Sequence, residues 1–176
     1  MDMVVRSDAV GAHLVPIGTV TTGAVEHLLD LAFGIDRHGR TAYRLRDGVV
    51  FEARASCAAL DEHGALVGSL QSWPLALIAD DGIATPLWLV GPIAVHPDRR
   101  NEGIGRAMLR RALEAIDGTA IPAVLIGDAP YYAPFGFDAS RTQHWRVPGP
   151  VDRARLLARA DAAVVLPTEG MLGPRR

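Results

Sequence analysis

Arg100-Asn101-Glu102-Gly103-Ile104-Gly105 spells R-x-x-G-x-G, between a strongly apolar run and a helical repeat. A helix N-terminus leaves unpaired backbone N–H groups and a partial positive charge. Glycines let a ligand approach the main chain closely and let the loop turn tightly. The combination is a cradle for a phosphate or pyrophosphate. Two competing phosphate motifs fail. A Walker A loop requires Lys before Ser or Thr, and all 18 basic residues here are Arg. The dinucleotide fingerprint G-x-G-x-x-G needs a third glycine where Met108 stands, and it ordinarily opens its fold, whereas this loop lies past mid-chain.

The elements that must position this loop follow from hydrophobic patterning. Residues 86–97 (PLWLVGPIAVHP) are the most apolar stretch, and Gly91-Pro92 in the middle predicts a bulge and a local break in pairing. Ile104, Met108, Leu109, Ala112, Leu113 and Ile116 then recur at helical spacing, with Arg106, Arg110, Arg111 and Glu114 mostly opposite and Gly118 as the stop. Residues 123–127 (AVLIG) suit a strand buried on both faces. A right-handed crossover makes the two strands flanking this helix parallel.

Upstream, residues 55–60 and 65–77 flank the turn DEHG and read as an antiparallel hairpin. Pro74 fits an edge or a bulge there rather than a central strand interior. Residues 13–20 read as a short strand interrupted by Pro16. Residues 23–33 read as an amphipathic helix capped by Thr21 or Thr22 and stopped by Gly34. Residues 35–48 read as a short helix or ordered loop whose Arg37, Arg40, Arg44 and Arg46 form a solvated face. Downstream, Pro130 and Pro134 bracket a stretch with room for about one helical turn. Residues 142–148 read as a strand, Asp152 as the cap of a helix over 153–160 containing Leu156 and Leu157, and 162–166 as a last strand. Residues 167–176, rich in Gly and Pro, read as a loose tail. The expected fold class is α/β (α+β): one domain over residues 1–176, with a mixed sheet and helices on both faces.

IAVHPDRRNEGIGRAMLRRAL resembles the acetyl-CoA-binding motif of the Gcn5-related N-acetyltransferases (GNAT), and GDAPYYAPFGF resembles the strand-and-tyrosine motif that follows it. Together with GPIAVHP, TAYRLRDG upstream and PGPVDRARLL downstream, the chain resembles the bacterial YhbS-like subgroup over nearly its whole length. The hexapeptide alone is a weak signal; its place after a split strand, with a tyrosine segment following, makes the combination specific. The resemblance implies the acyl-CoA N-acyltransferase fold, a mostly antiparallel sheet with a splayed central parallel pair. It implies acetyl-CoA as co-substrate, with the pantetheine arm lying where the strand splays. Ile93, Ala94 and Val95 would then supply backbone groups to that arm and polarise the thioester carbonyl. Arg100, Asn101, Gly103, Ile104, Gly105 and Arg106 would hold the pyrophosphate, chiefly by main chain.

Acetyl transfer needs two proton movements. The attacking amine must lose a proton to a base or to water, and the leaving thiolate must gain one. A phenol suits the second task, since its reference pKa of about 10 lies above a thiol's, about 8.5. In the family the Tyr of a FYEKLGF-like segment does this. YYAPFGF aligned on that pattern puts Tyr132 at the position, with Tyr131 the adjacent alternative. Two departures stand out. Family members often have Gly where Asn101 stands, and Asn tolerates a left-handed backbone. They often carry a basic residue where Glu102 stands; a carboxylate beside a pyrophosphate is unfavourable unless it points away, and Arg99, Arg100 and Arg106 can offset it.

The resemblance thus implies an enzyme that acetylates a primary amine, on a small molecule or on a protein or peptide, by direct attack in a ternary complex. A homodimer is common for this fold. The reading from a different class is a non-catalytic acyl-CoA sensor, which would not need Tyr132; O-acetylation or transfer of a longer acyl chain is a third.

Composition sets the outer bounds. A net charge of −2, with 18 basic and 20 acidic residues, lacks the footprint of a nucleic-acid binder. Cys57 is the only cysteine, which excludes an intrachain disulfide and a multi-Cys zinc site and fits a reducing compartment. The six histidines form no H-x-x-x-H pair, so no metal is expected. Residues 1–9 contain Asp2, Arg6 and Asp8 and no long apolar run, so no secretory signal is expected. No apolar run approaches the roughly 20 residues of a membrane helix. A cytoplasmic location with neither membrane nor nucleic-acid partner is expected.

Several residues have ordinary readings: Phe135 and Phe137 as core aromatics, Tyr131 evenly as a core aromatic or a site residue, Cys57 as a buried structural thiol, His96 as a loop or capping residue. Trp73, Trp88 and Trp145 read as core or interface residues, with Trp73 alternatively walling the acceptor site. Glu52 and Asp128 are candidate bases only as carboxylates near strand ends.

Overall fold

The computed structural model describes residues 11–176, so the segment 1–9 discussed above lies outside the described residues. In chain order the elements are β1 (Ala12–Pro16), α1 (Thr22–Phe33), α2 (Thr41–Arg44), β2 (Cys57–Asp61), β3 (Leu66–Ile78), β4 (Ala84–Val95), α3 (Ile104–Asp117), β5 (Ala123–Ile126), α4 (Ala129–Tyr132), β6 (His144–Arg146), β7 (Leu156–Arg159) and β8 (Glu169–Pro174). Hydrogen-bonded strand order runs β1-β2-β3-β4-β5-β7, with β8 on β3 and β6 on β8. The sheet is mixed and mostly antiparallel, with β4–β5 parallel as expected and β6–β8 a second parallel pair. The described residues form two compact units: those through Arg37 with Phe51–Ser72 and Gly91–Ala115, and His38–Val50 with Trp73–Val90 and Ile116–Arg176.

In the first unit β1 pairs antiparallel with β2, and β2 with β3 from Cys57↔Leu70 to a bulge at Ala59/Leu60. Helix α1 starts as its sequence dictates: Thr21 Oγ1 accepts from Ala24 N at 3.2 Å, and the helix ends where Gly34 N donates to Asp30 O at 2.9 Å. Its Val25, Leu28 and Leu29, spaced for one helical face, pack with Ala94 of β4. Cys57 is buried, and burial pushes its thiol up to about 12, the inert structural thiol its apolar surroundings predict.

The solvated-face reading holds for the exposed Arg40 and Arg44 and fails for Arg37. Arg37 is only 2 % exposed, with Nε donating to Asp30 Oδ1 at 2.8 Å and Nη2 paired with Glu26. Glu26 and Asp30 lie one turn apart on α1 and converge on one guanidinium, which can be buried because both charges answer it.

In the second unit Leu75, Leu77, Leu87, Leu89, Val124, Trp145, Leu156 and Leu172 form the core. Strand β5 lies between β4, paired at Trp88↔Ala123 and Leu89↔Val124, and β7, paired antiparallel from Ala123↔Arg159 to Ile126↔Leu156. Arg46, also read as solvated, is buried with its guanidinium 3.8 Å from the Tyr43 ring centroid and 4.6 Å from that of Trp73.

Four further expectations are corrected in this unit. Asp152 does cap a turn, accepting from Ala154 N at 3.0 Å, but the turn is a single 3-10 turn, Arg153–Arg155. Leu156 and Leu157 then continue as β7 because β5 offers an open edge. Residues 162–166 form no strand. The segment read as a loose tail instead contains β8, which pairs with β3 (Leu75↔Pro174 to Ile78↔Met171) and with β6, while Pro167 O accepts from Trp145 Nε1 at 2.9 Å. Pro74 does stand in a strand interior. It falls where β3 exchanges one neighbour for another, after the β2 pairing at Leu70 and before the β8 pairing at Leu75, so no ladder donor is required of it.

Candidate active site

The phosphate-loop candidates lie in one continuous segment of the first unit. The β4–β5 pairing reaches Leu89↔Val124, and two residues on comes the Gly91-Pro92 peptide, which is cis. Beyond it Ala94 is buried against α1, whereas Ile93 and Val95 are half-buried. His96 N donates to Val67 O at 2.8 Å, and its Nδ1 accepts from Asp98 N at 3.2 Å. His96 therefore caps the 3-10 turn Pro97–Arg99, the role expected of it.

The chain then reverses through two left-handed residues, Asn101 at φ 65 and Gly103 at φ 82, which flank Glu102. Asn101 can make this turn because Asn tolerates the left-handed backbone that otherwise favours glycine. At Gly103 a Cβ would meet nothing within 4 Å, so the loop's outer face is open. Helix α3 begins directly after, its first ladder bond running from Ala107 N to Gly103 O at 3.0 Å. The N–H groups of its first turn lie outside that ladder. Ile104 and Gly105 are buried, while Arg100, Asn101 and Arg106 are exposed. Arg99 Nε donates to Glu102 Oε2 at 2.7 Å, so the one carboxylate in the loop is charge-paired. These residues fit a diphosphate: an open face, a helix N-terminus, two exposed cations and a neutralised acid. Among the described residues no group of three or more His, Cys, Asp or Glu could hold a metal ion, and no helix is long and apolar enough to cross a membrane.

Tyr132 belongs to the second unit, where its ring is fixed by local packing. After β5, Gly127 N donates to Arg155 O at 2.9 Å. Tyr132 N closes the turn of α4 by donating to Asp128 O at 3.2 Å, and Tyr132 O accepts from Phe137 N at 3.4 Å. The ring meets Tyr131 and Phe137 edge-on, with centroids at 4.8 and 6.2 Å. Its third wall is the Gly127 backbone: a Cβ there would lie 2.3 Å from Tyr132 Cε2. Burial first, then neighbouring Tyr131 and Asp128, push the phenol up to about 12, with Arg155 pulling the other way.

Tyr131 is 37 % exposed and Phe137 is buried. Phe135 is half-buried, and its carbonyl accepts from Arg159 Nε at 2.8 Å. Of the carboxylates considered as bases, Glu52 is committed to capping, accepting from Arg54 N at 3.0 Å, and Asp128 lies 3.2 Å from Arg155 Nε. One residue that matters here, Gly127, escaped sequence reasoning because it carries no turn signature; of the three arginines expected to offset Glu102, Arg99 is the one paired with it.

Residues 21–140 match the model of the acetyltransferase (GNAT) domain. No curated protein matches the chain. Among solved structures, the chain is similar to the GNAT family N-acetyltransferase YhbS from Escherichia coli in complex with CoA, at 21% identity and TM-score 0.70, covering 97% of this chain and 93% of that one. It is similar to a GNAT family acetyltransferase from Brucella melitensis in complex with acetyl-CoA, at 22% identity and TM-score 0.63, covering 93% and 96%. A more distant likeness is to Saccharomyces cerevisiae N-myristoyltransferase with bound myristoyl-CoA, at 14% identity and TM-score 0.52, covering 70% of this chain and 30% of that one. At these identities the structures establish a shared fold. The matched domain model spans well over half of the sequence, including the whole glycine loop and the Tyr132 segment, and the chain belongs to the GNAT acetyltransferase family.

Proposed function

We propose that this protein is an N-acetyltransferase that moves an acetyl group from acetyl-CoA to a primary amine, on a small molecule or on a peptide or protein, by direct attack in a ternary complex. The observation that carries this reading is the loop of left-handed Asn101 and Gly103 opening onto the N-terminus of α3, immediately after a strand whose β5 pairing stops at Leu89. Acetyl-CoA supplies an activated thioester. The main chain of Ile93, Ala94 and Val95 orients its acyl arm and donates to the carbonyl oxygen as negative charge develops there. The main chain of residues 100–106 holds the diphosphate, with Arg100 and Arg106 adding positive charge.

The amine nitrogen forms a bond to the carbonyl carbon, the carbon–sulfur bond breaks, the amine proton leaves to water or a carboxylate, and Tyr132 serves the departing sulfur. A phenol at about 12 stays protonated through neutral pH. Complete transfer of its proton to a thiolate of pKa about 8.5 is uphill by about 5 kcal/mol. Tyr132 therefore acts chiefly by donating a strong hydrogen bond as the carbon–sulfur bond lengthens, and the departing thiolate takes its proton from water, offsetting the one the amine released.

The test is calorimetric titration with acetyl-CoA, ATP and NAD. Selective acetyl-CoA binding that is lost in Gly105→Asp supports the reading, and retained affinity in that variant removes the loop from it. Tyr132→Phe should lower kcat while leaving acetyl-CoA affinity intact. Unchanged kcat would move the role to Tyr131 or to water.

A further inference from the structure

Glu102 is an anion inside a loop whose geometry attracts anions. It stands between the two left-handed residues, two positions before the first residue of α3. A carboxylate near that position is drawn to the helix N-terminus as a phosphate is, since negative groups are favoured there and side-chain oxygens cap first-turn N–H groups. Left alone, Glu102 is a competitor built into the binding site.

The structure shows what restrains it. The Arg99 guanidinium spans two acceptors: Nε donates to Glu102 Oε2 at 2.7 Å, and Nη2 donates to the main-chain carbonyl of Gly11 at 3.1 Å. Both side chains of the pair are partly shielded, at 22 % exposure for Arg99 and 34 % for Glu102. Gly11 gives the far end of the guanidinium its seat, because a Cβ there would already approach Nη2 to 3.0 Å. Two hydrogen bonds in different directions fix the planar fork, which a lone surface pair would not do.

We propose that Arg99 is a positioning residue for acetyl-CoA binding: anchored on Gly11, it holds the Glu102 carboxylate away from the helix N-terminus and keeps the anion site open for the cofactor. This rests on the reading of the loop as the acetyl-CoA site. Arg99 acts through Glu102 and not by touching phosphate, which sets it apart from Arg100 and Arg106.

The experiment is acetyl-CoA titration at low salt of four proteins: wild type, Arg99→Gln, Glu102→Gln and the double variant, with thermal unfolding of each as a check on folding. Arg99→Gln should bind about fivefold more weakly, the value of one capping interaction gained by the freed carboxylate. The double variant should return to within about twofold of Glu102→Gln, because the competitor is gone. A double variant as weak as Arg99→Gln overturns the proposal, since Arg99 would then be holding the loop or the ligand itself. Wild-type affinity in Arg99→Gln overturns it too, while leaving the cofactor reading standing. Absence of acetyl-CoA binding by the wild type removes that reading and this inference together.

Discussion

Replacing Gly127 by alanine tests the tyrosine assignment through a residue that has no side chain of its own to react. The added Cβ would lie 2.3 Å from Tyr132 Cε2, 3.0 Å from Cδ2 and 3.2 Å from Leu125 Cδ1. Ordinary contact begins near 3.4 Å, so the ring edge must retreat by about 1.1 Å in an interior packed to crystal density. Gly127 does not occupy the left-handed region, so alanine adds no backbone strain and the overpacking costs about 1–3 kcal/mol. Tyr131 and Phe137 close the other sides, which leaves rotation of the phenol away from its present direction as the easiest relief. A displacement of about 1 Å at a reacting group costs roughly 100-fold in rate.

Two assays read the outcome: release of CoA thiol at saturating acetyl-CoA with an amine found by screening, and alkaline titration of tyrosine absorbance, with Tyr132→Phe identifying the Tyr132 contribution. Gly127→Ala should lose about 100-fold in kcat at unchanged acetyl-CoA affinity. Its Tyr132 phenol should titrate below about 12, toward its ordinary value, as the ring gains water. In the Tyr132→Phe background, Gly127→Ala should cost little more in rate. Wild-type kcat and an unmoved titration in Gly127→Ala would refute the argument that Gly127 sets the ring's position.

Deleting residues 169–174 should abolish cooperative unfolding of the second unit rather than leave it intact, because β8 pairs with both β3 and β6 and Leu172 is a core residue; circular dichroism during heating reads this. Arg159 holds the Asp117 carboxyl below its ordinary range, chiefly by hydrogen bonding, with Nη2 donating at 3.0 Å. A depressed carboxylate stabilises the fold above its unfolded pKa of about 4 and loses that contribution as pH falls through the lower folded value. Asp117→Asn should therefore lower stability at pH 7 and flatten the decline below about pH 4, as measured by urea midpoints across pH.

Much of the glycine loop and its flanking elements was legible in the sequence because each signal was local. The apolar run, the Gly91-Pro92 interruption, the glycine loop and the 3.6-residue repeat of α3 are each read within a few residues. The errors share a different cause. Asp152 announces a helix start equally well for one 3-10 turn, and only the vacant edge of β5 turns Leu156 and Leu157 into a strand. Glu169–Pro174, with two glycines and a proline, is a poor strand by propensity and becomes one because β3 and β6 flank it. The Arg37 reading failed for want of one step: Glu26 and Asp30, four apart on a predicted helix, form a two-carboxylate seat. Gly127 had no signal, since its requirement is the absence of a side chain beneath a ring five residues on.

The pairing of β3 with β8 also has a consequence in time. Leu75–Ile78 is synthesised long before Met171–Pro174, its partner segment, exists. At about 5–20 residues per second, that edge of β3 lacks β8 for roughly 5–20 seconds of every synthesis. For that interval Leu75 and Leu77 are an uncovered apolar edge on a nascent chain, the kind of segment that holdase chaperones bind. The yield of folded protein should thus depend on the speed at which the intervening stretch is translated, through a strand too rich in glycine and proline to announce itself.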